Sequence, residues 1–224
     1  MEQRLVAVTP GLSVPSTWSP AHASGRPCFV LAPGAGSRMT HPFLRFMNEG
    51  LVERGFAVVL FDFPYMAAGR RIPDPVERLV HTWRAVVAAV RTELGPVPLF
   101  LGGRSMGARI ASLLVAGGES AAGLVLLGYP LQPAGRPHVV RSAHLGRIHC
   151  PVLFVQGTRD PLCDLGILRQ AIAAMPAAVT LKIVEEADHS FNVPRAAGRS
   201  REQVWEEILA AVLAWTEPPG TELR

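Results

Sequence analysis

The serine at position 105 is the residue of this chain best suited to act as a nucleophile. It lies in the stretch G-G-R-S-M-G at 102–107, directly after an apolar run and directly before a segment with helical periodicity. A serine on a sharp turn between a buried strand and a helix needs nearly side-chain-free residues two positions before and two after it. Gly103 and Gly107 meet this requirement. The stretch therefore predicts a nucleophile elbow centred on Ser105.

An acid and a histidine follow this serine in the chain order that nucleophilic catalysis on such a fold uses. A serine hydroxyl needs an adjacent base, and the base needs an acid that orients it. Asp160 lies in the turn after the apolar run 152–156, and His189 lies in the loop after the run 179–184. We therefore predict that Ser105, Asp160 and His189 act as nucleophile, orienting acid and general base.

Other acids compete for the orienting role. Asp164 lies one helical turn beyond Asp160, where the next helix is expected to have begun. Asp188 adjoins His189, and sequence neighbours usually have poor geometry for a hydrogen bond to Nδ1 of the imidazole. A turn cap before the following proline is the structural alternative for Asp160 itself.

Two backbone amides are the expected donors to an oxyanion. One belongs to Met106, the residue after the nucleophile, at the positive end of the following helix. The second is expected from the small-residue loop A-P-G-A-G at 32–36, with Ala35 as the first candidate and Gly36 as the alternative. A plain tight turn is the other interpretation of this loop. It has no G-K-[ST] and no G-x-G-x-x-G, so it does not match a phosphate-binding loop.

The expected substrate site is open. Only residues 129–149 separate the apolar runs 123–127 and 152–156, which is too short for a helical cap. We therefore expect a shallow site for small or exposed ester, thioester or amide groups. Tyr65, Tyr129 and Phe191 are candidates to line it, and packing under a loop is the alternative for each.

Short apolar runs alternate with longer helix-period segments along the chain. This alternation predicts an α/β fold with a mainly parallel, doubly wound sheet of about six to seven strands and no cap domain. We expect a single domain over residues 1–224, with an irregular segment at 1–27 that holds a possible edge strand at 4–8, and a frayed tail at 217–224. The expected strands cover 29–32, 56–61, 97–101, 123–127, 152–156 and 179–184, and the expected helices cover 41–54, 75–94, 106–116 and 201–215.

Composition restricts the function classes. The 224 residues are 49% hydrophobic and 18% charged, as in ordinary globular proteins. The net charge is +4, but basic residues are scattered, so no nucleic-acid partner is expected. No apolar run approaches the roughly 18 residues of a membrane span. The N-terminus does not resemble a signal peptide, so we expect a cytoplasmic protein.

Neither a cofactor nor a metal is expected. The three cysteines are far apart and form no C-x-x-C pair, which argues against a zinc site or a disulfide framework. The expected partner is a small-molecule substrate, and the sequence carries no signal for an oligomeric state.

The stretches 33–36 and 103–107, together with Asp160 and His189, resemble the α/β-hydrolase superfamily over nearly the whole chain from about residue 28. The chain looks closest to the small dienelactone-hydrolase-like branch. Within it, the stretches 34–42, 61–66 and 102–107 are similar to the testis-expressed hydrolase-like family, which includes a regulatory subunit of a histone acetyltransferase complex.

This resemblance implies a serine triad at Ser105, Asp160 and His189, and hence a carboxylesterase-like serine hydrolase. A catalytically silent regulatory module on the same fold, and an acyltransferase that uses the same triad, are the alternatives. The chain departs from the superfamily at Pro33, where a histidine often precedes the oxyanion glycine. It departs from dienelactone hydrolases at Ser105, where those enzymes carry cysteine.

Overall fold

The computed structural model describes residues 1–21 and 25–216. Eight strands form one sheet, in the order β1-β2-β4-β3-β5-β6-β7-β8. Every pair of neighbouring strands from β4 to β8 in this order is parallel. β2 pairs antiparallel with both of its neighbours, β1 and β4. The strands are β1 (Glu2–Thr9), β2 (Leu12–Ser19), β3 (Cys28–Ala32), β4 (Ala57–Phe61), β5 (Leu99–Arg104), β6 (Gly123–Leu127), β7 (Val152–Gly157) and β8 (Val179–Val184).

Helices cover both faces of the sheet. The α-helices of the described residues are α1 (Pro42–Glu53), α2 (Pro64–Ala67), α3 (Val76–Leu94), α4 (Met106–Ala116), α5 (Leu165–Ala173) and α6 (Arg201–Thr216). Helices α1 and α6 pack on one face, and α3, α4 and α5 pack on the other. The predicted α/β fold with a mainly parallel sheet and no cap is confirmed.

The central strands are apolar throughout because both of their faces are covered. In β3, Phe29 and Leu31 point into the core under α1 and α6, whereas Val30 points into the core under α3 and α4. Successive side chains of a strand alternate between faces, so a strand buried on both sides needs a continuous apolar run. This explains why the apolar runs in the sequence predicted the positions of these strands to within a few residues.

The N-terminal segment differs from the prediction. β1 and β2 form an antiparallel hairpin, and β2 joins the sheet beside β4. The predicted six to seven strands are therefore eight. β2 escaped detection because it contains Pro15, which cannot donate a ladder hydrogen bond, and several hydroxyl side chains. Ser16 Oγ is nevertheless satisfied inside the fold: it donates to the Arg4 carbonyl at 3.1 Å and accepts from Trp18 Nε1 at 2.9 Å.

Strand order reverses at β3. The chain passes from β3 through α1 to β4 on one side, and β5 then lies on the other side of β3. The segments that follow β3 and β5 therefore leave toward opposite faces of the sheet, which opens a crevice at the carboxyl ends of these two strands. Ala35 and Ser105 both lie in the turns at this crevice.

The connection between β6 and β7 carries no cap. Within it, the regular structure is one turn of 3₁₀ helix, Leu145–Arg147. The predicted frayed tail, residues 217–224, lies outside the described residues. None of the helices in the described ranges is long and apolar enough to cross a membrane.

Candidate active site

Ser105 forms a sharp turn between β5 and α4. Its φ is +52°, an unusual value for a residue with a side chain, and its N–H donates to the Leu127 carbonyl at 2.9 Å. Gly103 has φ +139°, and a Cβ there would overlap the Ala32 carbonyl. A Cβ on Gly107 would meet the same carbonyl. Only glycine fits at either position, as expected for a nucleophile elbow.

His189 lies between Ser105 and Asp160. Its Nε2 is 2.8 Å from Ser105 Oγ, and its Nδ1 is 2.7 Å from Asp160 Oδ2. The three side chains come from the ends of β5, β8 and β7, which meet at the carboxyl edge of the parallel sheet. An imidazole held in this way presents Nε2 to the hydroxyl and keeps its Nδ1 proton toward the carboxylate.

The Asp160 carboxylate is fully buried and held from three sides. Besides His189, it accepts from the Leu162 N–H at 2.8 Å and from the side-chain amide of Gln156. The other end of that amide, Gln156 Oε1, accepts the Tyr129 N–H at 2.9 Å. Sequence reasoning missed Gln156, although one polar residue in the otherwise apolar strand β7 was a signal.

The competing acids have local roles. Asp164 Oδ1 accepts the Ile167 N–H at 2.9 Å and caps the start of α5. Asp188 accepts the N–H groups of Ser190 and Asn192 at 2.7 and 2.9 Å, which shapes the loop that carries His189. Neither carboxylate bonds to the imidazole.

The loop after β3 faces the elbow closely. A methyl group on Gly34 would lie 3.3 Å from Ser105 Cβ. The Gly36 N–H donates to Tyr65 Oη at 3.2 Å. In the described part of the chain, the Ala35 N–H has no acceptor. Met106 is the first residue of α4, so its N–H has no acceptor within the helix.

Asp62, at the end of β4, fixes the far side of this loop. Its Oδ1 accepts the Met39 N–H at 2.6 Å, and its Oδ2 pairs with Arg38 Nη1 at 3.5 Å. Burial raises the pKa of Asp62, an effect that the Met39 N–H and the Arg38 charge oppose. Arg38 also donates to the Met66 carbonyl at 2.8 Å. The loop therefore has a defined shape before any ligand arrives.

Arg104, the residue before Ser105, joins the elbow to the histidine loop. Its Nη2 donates to Ser190 Oγ at 2.8 Å and approaches the His189 carbonyl at 3.4 Å. Burial lowers the pKa of Arg104, and the charges of Asp188 and Asp160 oppose this. Sequence reasoning missed this residue because its contacts lie far along the chain.

The predicted substrate-binding residues Tyr65, Tyr129 and Phe191 require correction. All three side chains are completely buried. Tyr65 supports the loop after β3, the Tyr129 hydroxyl donates to the Arg141 carbonyl at 3.0 Å, and Phe191 packs against Phe43 with ring centroids 5.3 Å apart. Each aromatic side chain packs in the apolar core and does not line the cleft. The alternative interpretation, packing under a loop, is therefore the correct one.

An open cleft of about 300 Å³ lies beside Ser105. Ala35, Ser105 and Met106 form one end of it. Its walls come from α3 and the loop before it, from α4, and from the loops after β6 and β7. The wall residues are Pro73, Asp74, Val76, Leu79, Arg109, Ile110, Pro130, Arg141 and Leu162. None of these wall residues was among the sequence candidates, although Arg109 stands one helical turn beyond Ser105 and could have been considered.

Solved structures share this fold. A serine hydrolase without a lid from Xanthomonas campestris superposes with a TM-score of 0.72 at 20% identity, covering 99% of this chain and 96% of that one. A dienelactone hydrolase from Anabaena variabilis superposes with a TM-score of 0.75 at 17% identity, covering 96% of both chains. At these identities the likeness concerns the fold alone.

Two Mycobacterium tuberculosis proteins that carry the provisional name phosphoribosyl transferase are 29% identical over 169 residues. The match covers 74% of this chain but 37% of their length. This chain thus spans a little over a third of the length of the proteins that carry that name.

A family model described as an alpha/beta hydrolase domain matches residues 25–217. The matched range contains the elbow, the buried acid, the histidine loop and the loop after β3. By this match and by its architecture, the chain belongs to the alpha/beta hydrolase family.

Proposed function

We propose that the protein is a carboxylesterase-like serine hydrolase that cleaves small or exposed ester, thioester or amide groups through an acyl-enzyme on Ser105. The observation that carries the proposal is the continuous hydrogen-bonded chain from Ser105 Oγ through His189 to the buried Asp160 carboxylate, with separations of 2.8 and 2.7 Å. A regulatory module that had lost its chemistry would have no need for all three groups at these distances.

In the proposed first half-reaction, His189 Nε2 removes the Ser105 proton while Oγ attacks the substrate carbonyl. The bond between the carbonyl carbon and the leaving group then breaks, and the leaving group takes the proton from His189. In the second half-reaction, His189 takes a proton from water, and the hydroxide adds to the acyl carbon. Ser105 leaves with that proton, which restores the enzyme. Asp160 holds the imidazole in the tautomer that these steps need.

We assign the oxyanion hole to the N–H groups of Ala35 and Met106. Both residues border the cleft beside Ser105, and neither amide has an acceptor inside the described chain that would compete with an oxyanion. The N–H of Gly36, the alternative donor, already donates a hydrogen bond to Tyr65 Oη. Fixed donors stabilise the developing charge without reorganisation during the reaction.

We also propose that the chain lies in the dienelactone-hydrolase-like branch, nearest to the testis-expressed hydrolase-like family. The stretches 34–42 and 61–66, which carry this resemblance, are in contact: Asp62 accepts the Met39 N–H, and Tyr65 accepts the Gly36 N–H. A shared loop architecture would account for both stretches together.

A fluorophosphonate probe tests the proposal directly. We expect it to label the wild-type protein, and we expect Ser105→Ala to abolish labelling. Ser13→Ala, which alters an exposed serine of the N-terminal hairpin, is the matched control and should label normally. Labelling that survives Ser105→Ala would rule out Ser105 as the nucleophile.

A further inference from the structure

Two arginines face the cleft beside Ser105 without forming ion pairs. Arg109 and Arg141 both line the cleft. Within the described residues, neither guanidinium lies within salt-bridge distance of a carboxylate. Most arginines on a protein surface can turn into water, whereas these two are half-buried. Their charges are thus present at the site but are not compensated there.

Arg109 has a fixed position relative to the nucleophile. It lies one helical turn after Ser105, and its N–H donates to the Ser105 carbonyl at 3.0 Å. Its Nε is buried and has no hydrogen-bond partner in the described chain. Burial lowers the pKa of Arg109, the nearby Arg141 lowers it further, and Tyr129 opposes these effects. An unsatisfied buried donor is costly and calls for an acceptor.

Arg141 is also held in place, although it lies in the connection between β6 and β7. Its N–H donates to the Leu131 carbonyl at 2.8 Å, and its carbonyl accepts the Tyr129 hydroxyl at 3.0 Å. The buried His144, three residues later, contacts Ser112 Oγ on α4 at 2.8 Å. These anchors fix the backbone from which Arg141 reaches the cleft.

Asp74, the acidic residue that lines the cleft, already forms ion pairs. Asp74 Oδ1 lies 2.7 Å from Arg70 Nη2 and 3.7 Å from Arg78 Nη1. Its charge is compensated by these two arginines, so it does not balance the positive charges of Arg109 and Arg141. Two like charges close together in a partly buried site repel each other, and a bound anion would relieve that repulsion.

From this arrangement we infer that Arg109 and Arg141 form an anion subsite, and that the substrate carries a carboxylate or phosphate group near its scissile carbonyl. The inference rests on the proposed hydrolase function and adds the substrate class. A guanidinium presents paired N–H donors that match carboxylate and phosphate oxygens. The cleft size limits the spacing between the anionic group and the carbonyl to a few bonds.

Paired esters of equal length test the subsite. p-Nitrophenyl valerate is neutral, and the p-nitrophenyl monoester of glutarate carries a carboxylate at the end of the same five-carbon acyl chain. We expect kcat/KM to be about tenfold or more higher for the glutarate ester, the effect of a charge-assisted hydrogen bond. Raising the salt concentration should reduce this preference through screening. Butyrate esters of phenol and of 4-hydroxybenzoate make the same comparison on the leaving-group side.

Matched variants locate the effect. Arg109→Gln and Arg141→Gln should each reduce the ratio of kcat/KM for the charged ester to that for the neutral ester by about tenfold. Arg109→Lys should retain part of the ratio because it keeps the charge. Arg84→Gln removes one exposed charge of α3 outside the cleft and should leave the ratio unchanged. A ratio is insensitive to partial loss of folded enzyme, so a poorly folding variant still gives a usable result.

Competition distinguishes the two anion sources. Hydrolysis of p-nitrophenyl valerate is measured in the presence of three possible inhibitors: glutarate, inorganic phosphate and neutral glutaramide. Stronger inhibition by glutarate than by phosphate would indicate a substrate with a carboxylate. Stronger inhibition by phosphate would indicate a phosphorylated substrate. The subsite proposal is overturned if neither ester series favours the anion and neither anion inhibits more than glutaramide. In that outcome, hydrolysis of the neutral esters would still support the proposed function. Absence of labelling by the fluorophosphonate probe, together with no turnover of any ester, would instead reject the function itself.

Discussion

The phenol oxygen of Tyr65 accepts a hydrogen bond from the N–H of Gly36 at 3.2 Å. The Tyr65 side chain is completely buried under the loop after β3. This contact decides which amide of the loop remains for an oxyanion. With Gly36 occupied, the N–H of Ala35 is the remaining candidate on that side of the cleft.

Tyr65→Phe tests this assignment. We expect kcat to fall several-fold and the free energy of unfolding to fall by about 1 kcal/mol, because the loop loses one hydrogen bond. If Gly36 were the oxyanion donor, the substitution would release its N–H and kcat would rise instead. Steady-state kinetics well below the melting temperature, together with urea unfolding, separate the two outcomes.

Asp160→Asn should reduce kcat by about 10³ to 10⁴, because a neutral amide cannot hold the imidazole in the required tautomer. Asp164→Asn is the matched control. Asn caps a helix about as well as Asp, so this variant should keep both its stability and its kcat. Equal losses in the two variants, measured on p-nitrophenyl butyrate, would refute the assignment of Asp160 as the orienting acid.

Ser105→Gly should stabilise the protein while abolishing activity. Ser105 has φ +52°, and a side chain at such a backbone conformation costs about 1–3 kcal/mol. Glycine removes that strain but adds unfolded-state entropy, so we expect a net gain of about 1 kcal/mol in the free energy of unfolding. Ser105→Ala keeps a Cβ and should show no such gain. Equal stability of the two variants in urea unfolding would contradict this net gain and would mean that the strain released is no larger than the entropy that glycine adds.

The stability of the protein should decrease in mild acid partly through His144. Burial, together with the charges of Arg109 and Arg147, lowers the pKa of His144 to about 4. In the unfolded chain this histidine binds a proton as the pH falls through about 6.5, whereas in the folded protein it stays neutral until about pH 4. Unfolding is therefore favoured progressively between pH 6.5 and 4, and above pH 6.5 the effect vanishes.

His144→Gln checks this contribution. The variant should be less stable than the wild type at pH 7.5, because its contacts with Ser112 and Tyr129 change, but the difference should shrink at pH 4.5. Melting temperatures of both proteins at several pH values give the comparison. Parallel pH dependence of the two proteins would exclude His144 as a source of acid sensitivity.

Acyl chain length should limit turnover. The cleft holds about 300 Å³ and has Leu162 on one wall. We expect kcat/KM on neutral p-nitrophenyl esters to fall by about tenfold between butyrate and decanoate, since the longer chain leaves apolar surface in water. Leu162→Ala should shift the preference toward longer chains. A wild-type preference for decanoate would require a deeper channel than the cleft.

The sequence was sufficient for the central part of the fold. Strands buried on both faces give continuous apolar runs, and β6 was located to the residue for this reason. β8 was also located to the residue, although it is an edge strand in which only Val184 is buried. The chain order of Ser105, Asp160 and His189 follows from where parallel strands end, so their proximity could be anticipated before any contact was known.

Other features depend on contacts that no local pattern records. Tyr65 and Phe191 could point into the cleft or into the core, and only the surrounding packing decides. Gln156 matters because two distant partners, Tyr129 and Asp160, meet at its amide. β2 was missed because partners far along the chain satisfy two of its hydroxyl groups: Ser16 Oγ bonds to the Arg4 carbonyl across the hairpin, and Ser19 Oγ bonds to Asn48 on α1. Composition cannot reveal these contacts.

Arg104 has a consequence for how the site comes apart. Its guanidinium contacts Ser190 beside His189, its backbone leads into Ser105, and Nη1 would lie 3.5 Å from a methyl group on Gly34 in the loop after β3. One side chain thus lies beside three of the four segments that supply the proposed chemistry; the fourth is the turn after β7 that carries Asp160. Local opening of any one segment withdraws support from the other two. The three segments should therefore lose their arrangement in a single cooperative step, while the sheet beneath them stays intact.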